Sequence, residues 1–191
     1  MTECSSKAQR FIESTASFDL IVLGAGPAGC EAALTARSFG MRVLLIDEAP
    51  QAGGQYYRAP NLSVNTAPST PEKREGDKLR AKVEAADITF WSNHRIWSVE
   101  RGFRVACATG LENKIATAPQ VILATGANEV ERPIPGWGRP GVVGLAAATI
   151  MMKSYKILPG NKVLVAGSGP LLYDVATRIM YTGGKLAAVV D

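Results

Sequence analysis

Histidine is nearly missing from this chain and cysteine is scarce: its 191 residues include one histidine, His94, and three cysteines, Cys4, Cys30 and Cys107. Cysteines this far apart form no CxxC pair and no metal-ligand spacing, so neither a metal centre nor a dithiol relay is expected. Three scattered thiols fit a reducing compartment, and the cytoplasm is the expected location. No charge of one sign dominates, because 21 Lys and Arg face 17 Asp and Glu. The densest basic cluster, Lys73 to Lys82, has Glu72, Glu75 and Asp77 in or beside it. It reads as a solvated helix face. Without a basic stripe interleaved with aromatics, a nucleic-acid partner is not expected. Long hydrophobic runs are absent too. Val142 to Met152 is the most continuous apolar stretch after the strands, well short of the roughly 20 residues of a membrane span. Residues 1–17 are polar and read as a flexible tail without the apolar core of a secretory signal.

What is present is a composition that can bury a core, 47% hydrophobic and 20% charged, with 19 glycines. Their placement is informative. Ile21-Val22-Leu23 is a short apolar strand running into Gly24-Ala25-Gly26-Pro27-Ala28-Gly29. In a strand-turn-helix of this spacing the first glycine permits the tight turn. The second lets backbone approach a pyrophosphate, and the third lets helix pack on strand. The helix that starts near Pro27 directs its N-terminal amides and positive dipole end at the phosphates. Arg42 to Ile46 is the next strand. Asp47 then stands where a carboxylate accepts a ribose hydroxyl, and Glu48 is a neighbouring candidate for that role.

The first helix is expected to stop at Gly40, a usual C′ residue. Residues 48–71 are loop-like, with Gly53-Gly54 and then Pro60, Pro68 and Pro71. Thr70 and Pro71 mark the cap and first position of a second helix running to about Ala86. A short strand follows at Ile88 to Trp91. Three alternating runs, Ile96 to Val99, Phe103 to Cys107 and Lys114 to Thr117, then read as an antiparallel meander. Gln120 to Ala124 reads as a parallel strand buried on both faces. Arg132 to Gly141 is rich in Pro and Gly and reads as a boundary.

A second strand-helix unit closes the chain: Lys162 to Ala166, the turn Gly167-Ser168-Gly169-Pro170, a helix over 171–181, and Leu186 to Val190 ending at Asp191. The fingerprint thus recurs 143 residues on, from Gly24 to Gly167. Leu172 replaces its third glycine and is expected to hold helix and strand further apart. The expected divisions are a tail (1–17), a dinucleotide-binding domain (18–130), a linker with a connecting helix (131–160) and the start of a second dinucleotide-binding domain (161–191). The expected fold class is α/β, a Rossmann-like domain with a small antiparallel meander followed by a second Rossmann-like unit. A strand-helix-strand of this size cannot cover both faces of its sheet. The chain therefore reads as a fragment or as one component needing another polypeptide.

Gly24 to Gly29 with Asp47, Gly53-Gly54-Gln55, Ala124-Thr125-Gly126-Ala127, and the second turn at Gly167 and Gly169 resemble the two-dinucleotide-binding flavoprotein superfamily, which contains glutathione reductase and thioredoxin reductase. The resemblance implies FAD at the first turn. It implies Gly54 and Gln55 beside the pyrophosphate or flavin, and Ala124, Thr125 and Gly126 closing over the flavin. At Gly167 and Gly169 it implies NAD or another adenine nucleotide, and an acid at Asp191 disfavours a 2′-phosphate. Where disulfide reductases of this superfamily carry a redox cysteine pair, this chain has Gln55-Tyr56-Tyr57.

A narrower resemblance runs through Gly53-Gly54-Gln55-Tyr56-Tyr57-Arg58, Glu131-Arg132-Pro133 with Pro135-Gly136-Trp137, and Gly167-Ser168-Gly169-Pro170-Leu171-Leu172. These look like the A component of bacterial opine oxidases and the B component of hydrogen cyanide synthase. It implies an FAD-dependent oxidoreductase subunit, inactive alone, that works with a second flavoprotein subunit. The complex would cleave an opine such as octopine or nopaline to an amino acid and a 2-oxo acid. Two alternatives stay open: an NADH-dependent flavoprotein reductase, and an inactive fragment that binds FAD or a partner. No residue is assigned to catalysis. A solvated loop position is expected for His94, and hydride chemistry would belong to the cofactor.

Overall fold

The computed structural model describes residues 15–60, 70–110, 112–130 and 133–191. Cys4, most of the expected tail, Pro68, Glu131 and Arg132 lie outside the described residues. The chain divides into two compact units. The first takes in the described residues up to Tyr57 and Pro71 to Gly126; the second takes in Arg58 to Pro60, Thr70 and the described residues from Ala127 to Asp191.

In the first unit, β1 (Ala16–Ser17) precedes β2 (Leu20–Leu23), α1 (Pro27–Ser38), β3 (Val43–Ile46), α2 (Pro71–Ala85), β4 (Thr89–Trp91), β5 (Arg95–Glu100), β6 (Arg104–Thr109), β7 (Glu112–Thr117) and β8 (Val121–Leu123). A parallel sheet has the order β4-β3-β2-β8, and a second sheet has the order β1-β7-β6-β5. The expected meander is β5 to β7, antiparallel throughout. Ala16 and Ser17, assigned by sequence to the tail, pair in parallel with Ala116 and Thr117.

All eight residues of β2 and β3 are buried. Successive side chains of a strand point to opposite faces. Accordingly Leu20, Val22, Val43 and Leu45 pack with Cys30 and Ala33 of α1 and Leu79 and Val83 of α2. Ile21, Leu23, Leu44 and Ile46 pack instead with Val105, Cys107 and Ala116 of the meander. Two continuous apolar runs thus form the middle layer of three. Each buried Val, Leu or Ile contributes about 1.5–3 kcal/mol, whereas an exposed pair such as Arg42–Asp19 at 2.9 Å is screened by water and adds little. The strand interior therefore decides the stability of this layer.

Helix α1 ends as the sequence predicts. The Gly40 N–H donates to the Arg37 carbonyl and the Met41 N–H to that of Ala36, and Gly40 takes φ +83°. This is the Schellman arrangement that a glycine at C′ permits. Strand β8 departs from expectation. It pairs with β2 at the sheet edge, where Ile122 is 38% and Leu123 72% exposed, so it is not a strand buried on both faces.

The second unit contains α3 (Leu145–Ile150), which continues as a π-helical turn over Met151–Tyr155, then β9 (Lys162–Ala166), α4 (Pro170–Tyr181) and β10 (Lys185–Val190). The Glu129 carboxylate accepts the N–H groups of Leu145 and Ala146, both at 2.8 Å, and so caps the positive end of α3. The expected connecting helix belongs to a core. Ala148 and Met152 pack with Val165, Leu172, Val175, Ala176 and Ile179. Helix α4 buries positions 172, 175, 176 and 179, the stripe of a one-faced helix. Strands β9 and β10 are parallel, and Leu164, Val189 and Val190 remain exposed.

Candidate functional site

The first glycine turn is enclosed by segments far from it in sequence. Gly24 has φ +101°, and a Cβ there would lie 2.3 Å from the Ala124 carbonyl oxygen. The Ala124 N–H donates to the Leu23 carbonyl at 2.8 Å, which seats the Ala124-Thr125-Gly126 strand end against the turn. A Cβ at Gly29 would lie 1.9 Å from the Gly24 carbonyl oxygen and 3.2 Å from the Ala124 Cβ. Close helix-strand packing therefore requires glycine at position 29. On the other side, the Gly53 N–H donates to the Ala25 carbonyl at 2.8 Å. Gly54, at φ +57°, comes so near that a Cβ would stand 2.8 Å from the Gly26 Cα.

Gly26 is the N-cap of α1. No side chain caps the helix there, and its first turn carries no acidic residue. A Cβ at Gly26 would meet no atom within 4 Å. The leading amides of α1, following Pro27 at Ala28 and Gly29, lie at the dipole's positive end with no side chain capping them, which is the environment an anion requires.

Asp47 is built into the same cradle. Its Oδ2 accepts the Ala25 N–H at 2.5 Å and its Oδ1 the Ala49 N–H at 2.7 Å. Each carboxylate oxygen keeps a lone pair for a hydroxyl donor. Glu48, in contrast, is exposed and lies 3.5 Å from Arg95. Beneath the turn, the Cys30 thiol donates to the Ala25 carbonyl at 3.2 Å. Burial, reinforced by the Asp47 charge, pushes its pKa up to about 11. A thiol held neutral in this way is no nucleophile.

Two sequence expectations need correction. His94 is not solvated but 7% exposed. Its main-chain N–H donates to the Asp47 carbonyl at 3.0 Å, its Nδ1 lies 2.6 Å from the Ser92 carbonyl, and its ring packs on Trp91. A polar neighbourhood in sequence concealed this, because burial comes from the turn folding back on the strand end that carries Asp47. The Lys73 to Lys82 cluster is likewise not wholly a solvated face. The Arg80 side chain is 15% exposed, and its Nη1 donates to the carbonyls of Ala52 and Tyr57, each at 3.0 Å. Sequence reasoning missed Arg80, and only the buried Gly76 one turn earlier on the same helix hinted at a close approach.

The structure therefore brings Gly24, Gly26, Pro27, Ala28, Gly29, Asp47, Gly54 and Ala124 together within the first unit, with Thr125 and Gly126 continuing from Ala124. Gln55 follows Gly54 and is exposed, whereas Glu48 sits beside Asp47 at the strand end. Gly167 and Gly169 form a separate turn in the second unit, where the Tyr173 hydroxyl donates to Asp191 Oδ2 at 3.1 Å. Donation to that carboxylate raises the Tyr173 pKa above the usual phenol value.

The pyridine nucleotide-disulphide oxidoreductase family model matches residues 18–190. The chain belongs to this family. Its fold is the Rossmann-like fold of FAD-binding oxidoreductases. As a family member it is 35% identical over 185 residues to the A component of opine oxidase from Agrobacterium tumefaciens, covering 91% of this chain and 37% of that protein. It is 32% identical to hydrogen cyanide synthase subunit HcnB of Pseudomonas protegens, over 92% of this chain and 38% of that protein. Among solved structures it resembles L-proline dehydrogenase from P. horikoshii, with a TM-score of 0.79 and 24% identity over 94% of this chain and 37% of that one. The chain thus spans less than two fifths of the length of these relatives. The narrower resemblance read from Gly53 to Arg58 and from the second turn agrees with the relatives found. Among the described residues no helix is long and apolar enough to cross a membrane.

Proposed function

We propose that the first unit holds FAD, with the pyrophosphate against the α1 amides and the ribose on Asp47. One observation carries this reading: four separate sequence segments, at Gly24 to Gly29, Asp47, Gly53-Gly54 and Ala124, converge at contact distances that leave no room for a Cβ at Gly24, Gly29 or Gly54. The donor set suits the group. Backbone amides at an uncapped helix start take phosphate oxygens, and a carboxylate with spare lone pairs takes a hydroxyl. Glu48 can contribute to the ribose by moving from Arg95, and Gln55 can donate to the flavin from the adjoining loop. Bound FAD would supply two-electron hydride acceptance. The chain's residues would bind and orient it and, through Ala124 and Gly54, restrict water.

The activity we propose is that of an opine-oxidising subunit located in the cytoplasm, which is inactive alone and works with a second flavoprotein subunit. The names of its relatives support this: the opine oxidase and hydrogen cyanide synthase proteins are each named as one subunit of an enzyme. Octopine or nopaline would be cleaved to an amino acid and a 2-oxo acid. The test is the visible flavin band of the protein combined with its partner subunit under anaerobic conditions. Bleaching by octopine or nopaline is expected. Bleaching by NADH alone would replace this reading with a flavoprotein reductase. A colourless folded protein that takes up no FAD would remove both.

For the second turn the proposed ligand is NAD or another adenine nucleotide. The Gly167 N–H donates to the Val190 carbonyl at 3.0 Å, and Asp191 follows directly, so the acid stands in register with the turn. Retention of NAD but not NADP on equilibrium dialysis is the expected result.

A further inference from the structure

The loop that covers the first glycine turn is gripped from outside as well as from within. Helix α2 supplies the outside contacts. Arg80 Nη1 spans the carbonyls of Ala52 and Tyr57, five residues apart, at 3.0 Å each, while Nη2 donates to Asp77 Oδ1 at 2.7 Å. Between those carbonyls the Tyr57 N–H donates to the Gly53 carbonyl at 3.0 Å, and the Gly53 N–H to that of Ala25 at 2.8 Å. A Cβ at Gly53 would stand 2.9 Å from Nη1, and one at Gly76 would stand 2.9 Å from the Tyr57 Cβ and 3.0 Å from Nη2. Glycine at both positions leaves room for the guanidinium. Gly54 is thereby set down on Gly26, the N-cap of α1.

We propose that Arg80 is a positioning residue for the flavin site, its planar fork holding the Ala52 to Tyr57 loop over the first glycine turn so that Gly54 and Gln55 meet the dinucleotide. This rests on the reading of that turn as the FAD site. The fork matters more than the charge. One guanidinium nitrogen serves both carbonyls while the other is anchored by Asp77, a division of labour that a single ammonium cannot reproduce. The positive charge also reaches the turn, where it opposes the rise of the Cys30 pKa, so charge and shape must be separated by experiment.

The test compares the FAD dissociation constant, the apoprotein melting temperature and amide exchange at Gly53 and Gly54 in the full chain and its variants. In Arg80→Ala, FAD binding is expected to weaken about tenfold or more, with faster exchange at both glycines even without flavin. Millimolar guanidinium, but not methylammonium, should reverse both changes. Arg80→Lys should remain weak. Full affinity in Arg80→Lys would mean that charge alone suffices and would overturn the proposal, as would Arg80→Ala binding FAD within about twofold of wild type. If Arg80→Ala does not fold, Arg80→Lys and Asp77→Asn decide the matter. Weaker FAD with unchanged apoprotein melting supports the role, and unchanged FAD overturns it. Wild-type protein that binds no FAD at all brings down the site reading together with Arg80, whereas wild-type binding with indifferent variants removes Arg80 alone.

Discussion

Gly24 to Gly29 and Gly167 to Leu172 occupy the same place in two parallel strand pairs. In each, the first glycine N–H donates to the carbonyl ending the partner strand, Ile46 at 2.8 Å and Val190 at 3.0 Å. In each, the next residue along is the acid. The spacing differs by one, from 23 residues between Gly24 and Asp47 to 24 between Gly167 and Asp191. A register shift between Leu186 and Ala188 of β10 absorbs the extra residue. A bulge has thus preserved the alignment of acid and turn. Beyond this the turns part. Ala25 is buried and bonded by the Gly53 N–H, and Gly24 is half-buried under Ala124, whereas Gly167, Ser168 and Gly169 are all exposed. Cys30 points under the first turn; its counterpart Tyr173 lies on the surface and reaches the acid instead. Leu172, in the third glycine position, is wholly buried. A glycine fingerprint therefore describes a turn, and distant segments decide whether the turn becomes an enclosed site.

The largest break between the two should come from their third positions. Gly29→Val sets a branched side chain against the Gly24 carbonyl, and is expected to abolish FAD retention and lower the melting temperature sharply. Flavin absorbance per folded chain and thermal melting measure both effects. At the equivalent site Leu172→Ala removes core volume, costing about 2–5 kcal/mol in denaturant unfolding of the second unit. Flavin bound per folded chain should stay at the wild-type level. Loss of flavin there would mean that the two turns are not independent.

The acids offer the next contrast. Asp47→Asn replaces one of two amide-accepting oxygens with a donor, which should cost about 1–3 kcal/mol in stability and weaken FAD about tenfold or more in a titration. Asp191→Asn changes an exposed acceptor of one phenol, so stability and FAD affinity should be unaltered.

The smallest effect concerns Cys30. Because folding raises its pKa from 9.0 to about 11, the neutral thiol favours the folded state. That contribution is intact below pH 9.0 and is lost as pH rises through about 11. The urea midpoint of wild type should fall more steeply across this window than that of Cys30→Ala. Alkylation of Cys30 at pH 8, followed by mass spectrometry, should require unfolding.

Much of this was legible because it is local. Leu20–Leu23 and Val43–Ile46 are apolar on every residue, the pattern of strands buried on both faces, and both are fully buried. Gly40 marked the end of α1, and the meander followed from alternation between turn residues. Position in the sheet was not legible. Gln120 to Ala124 looks like the central strands, yet β8 lies at the edge because nothing in its own pattern reports how many neighbours it has. His94 sits among polar residues and is buried by a turn whose closure depends on Asn93 donating to Ala49 at 3.2 Å. Arg80 resembles the other cations of α2, and its desolvated fork follows from Gly53 and Gly76 at separate places in the chain.

By itself the sequence determined most of the elements, the two glycine turns, the acids that answer them and the family, since each is encoded by residues a few positions apart whose backbone preferences act locally. Only the tertiary structure decided which turn is enclosed, that Arg80 grips the loop above it, and that a bulge keeps Asp191 in register. Those outcomes depend on contacts of a few ångströms between segments separated by tens of residues, and no local preference carries that information.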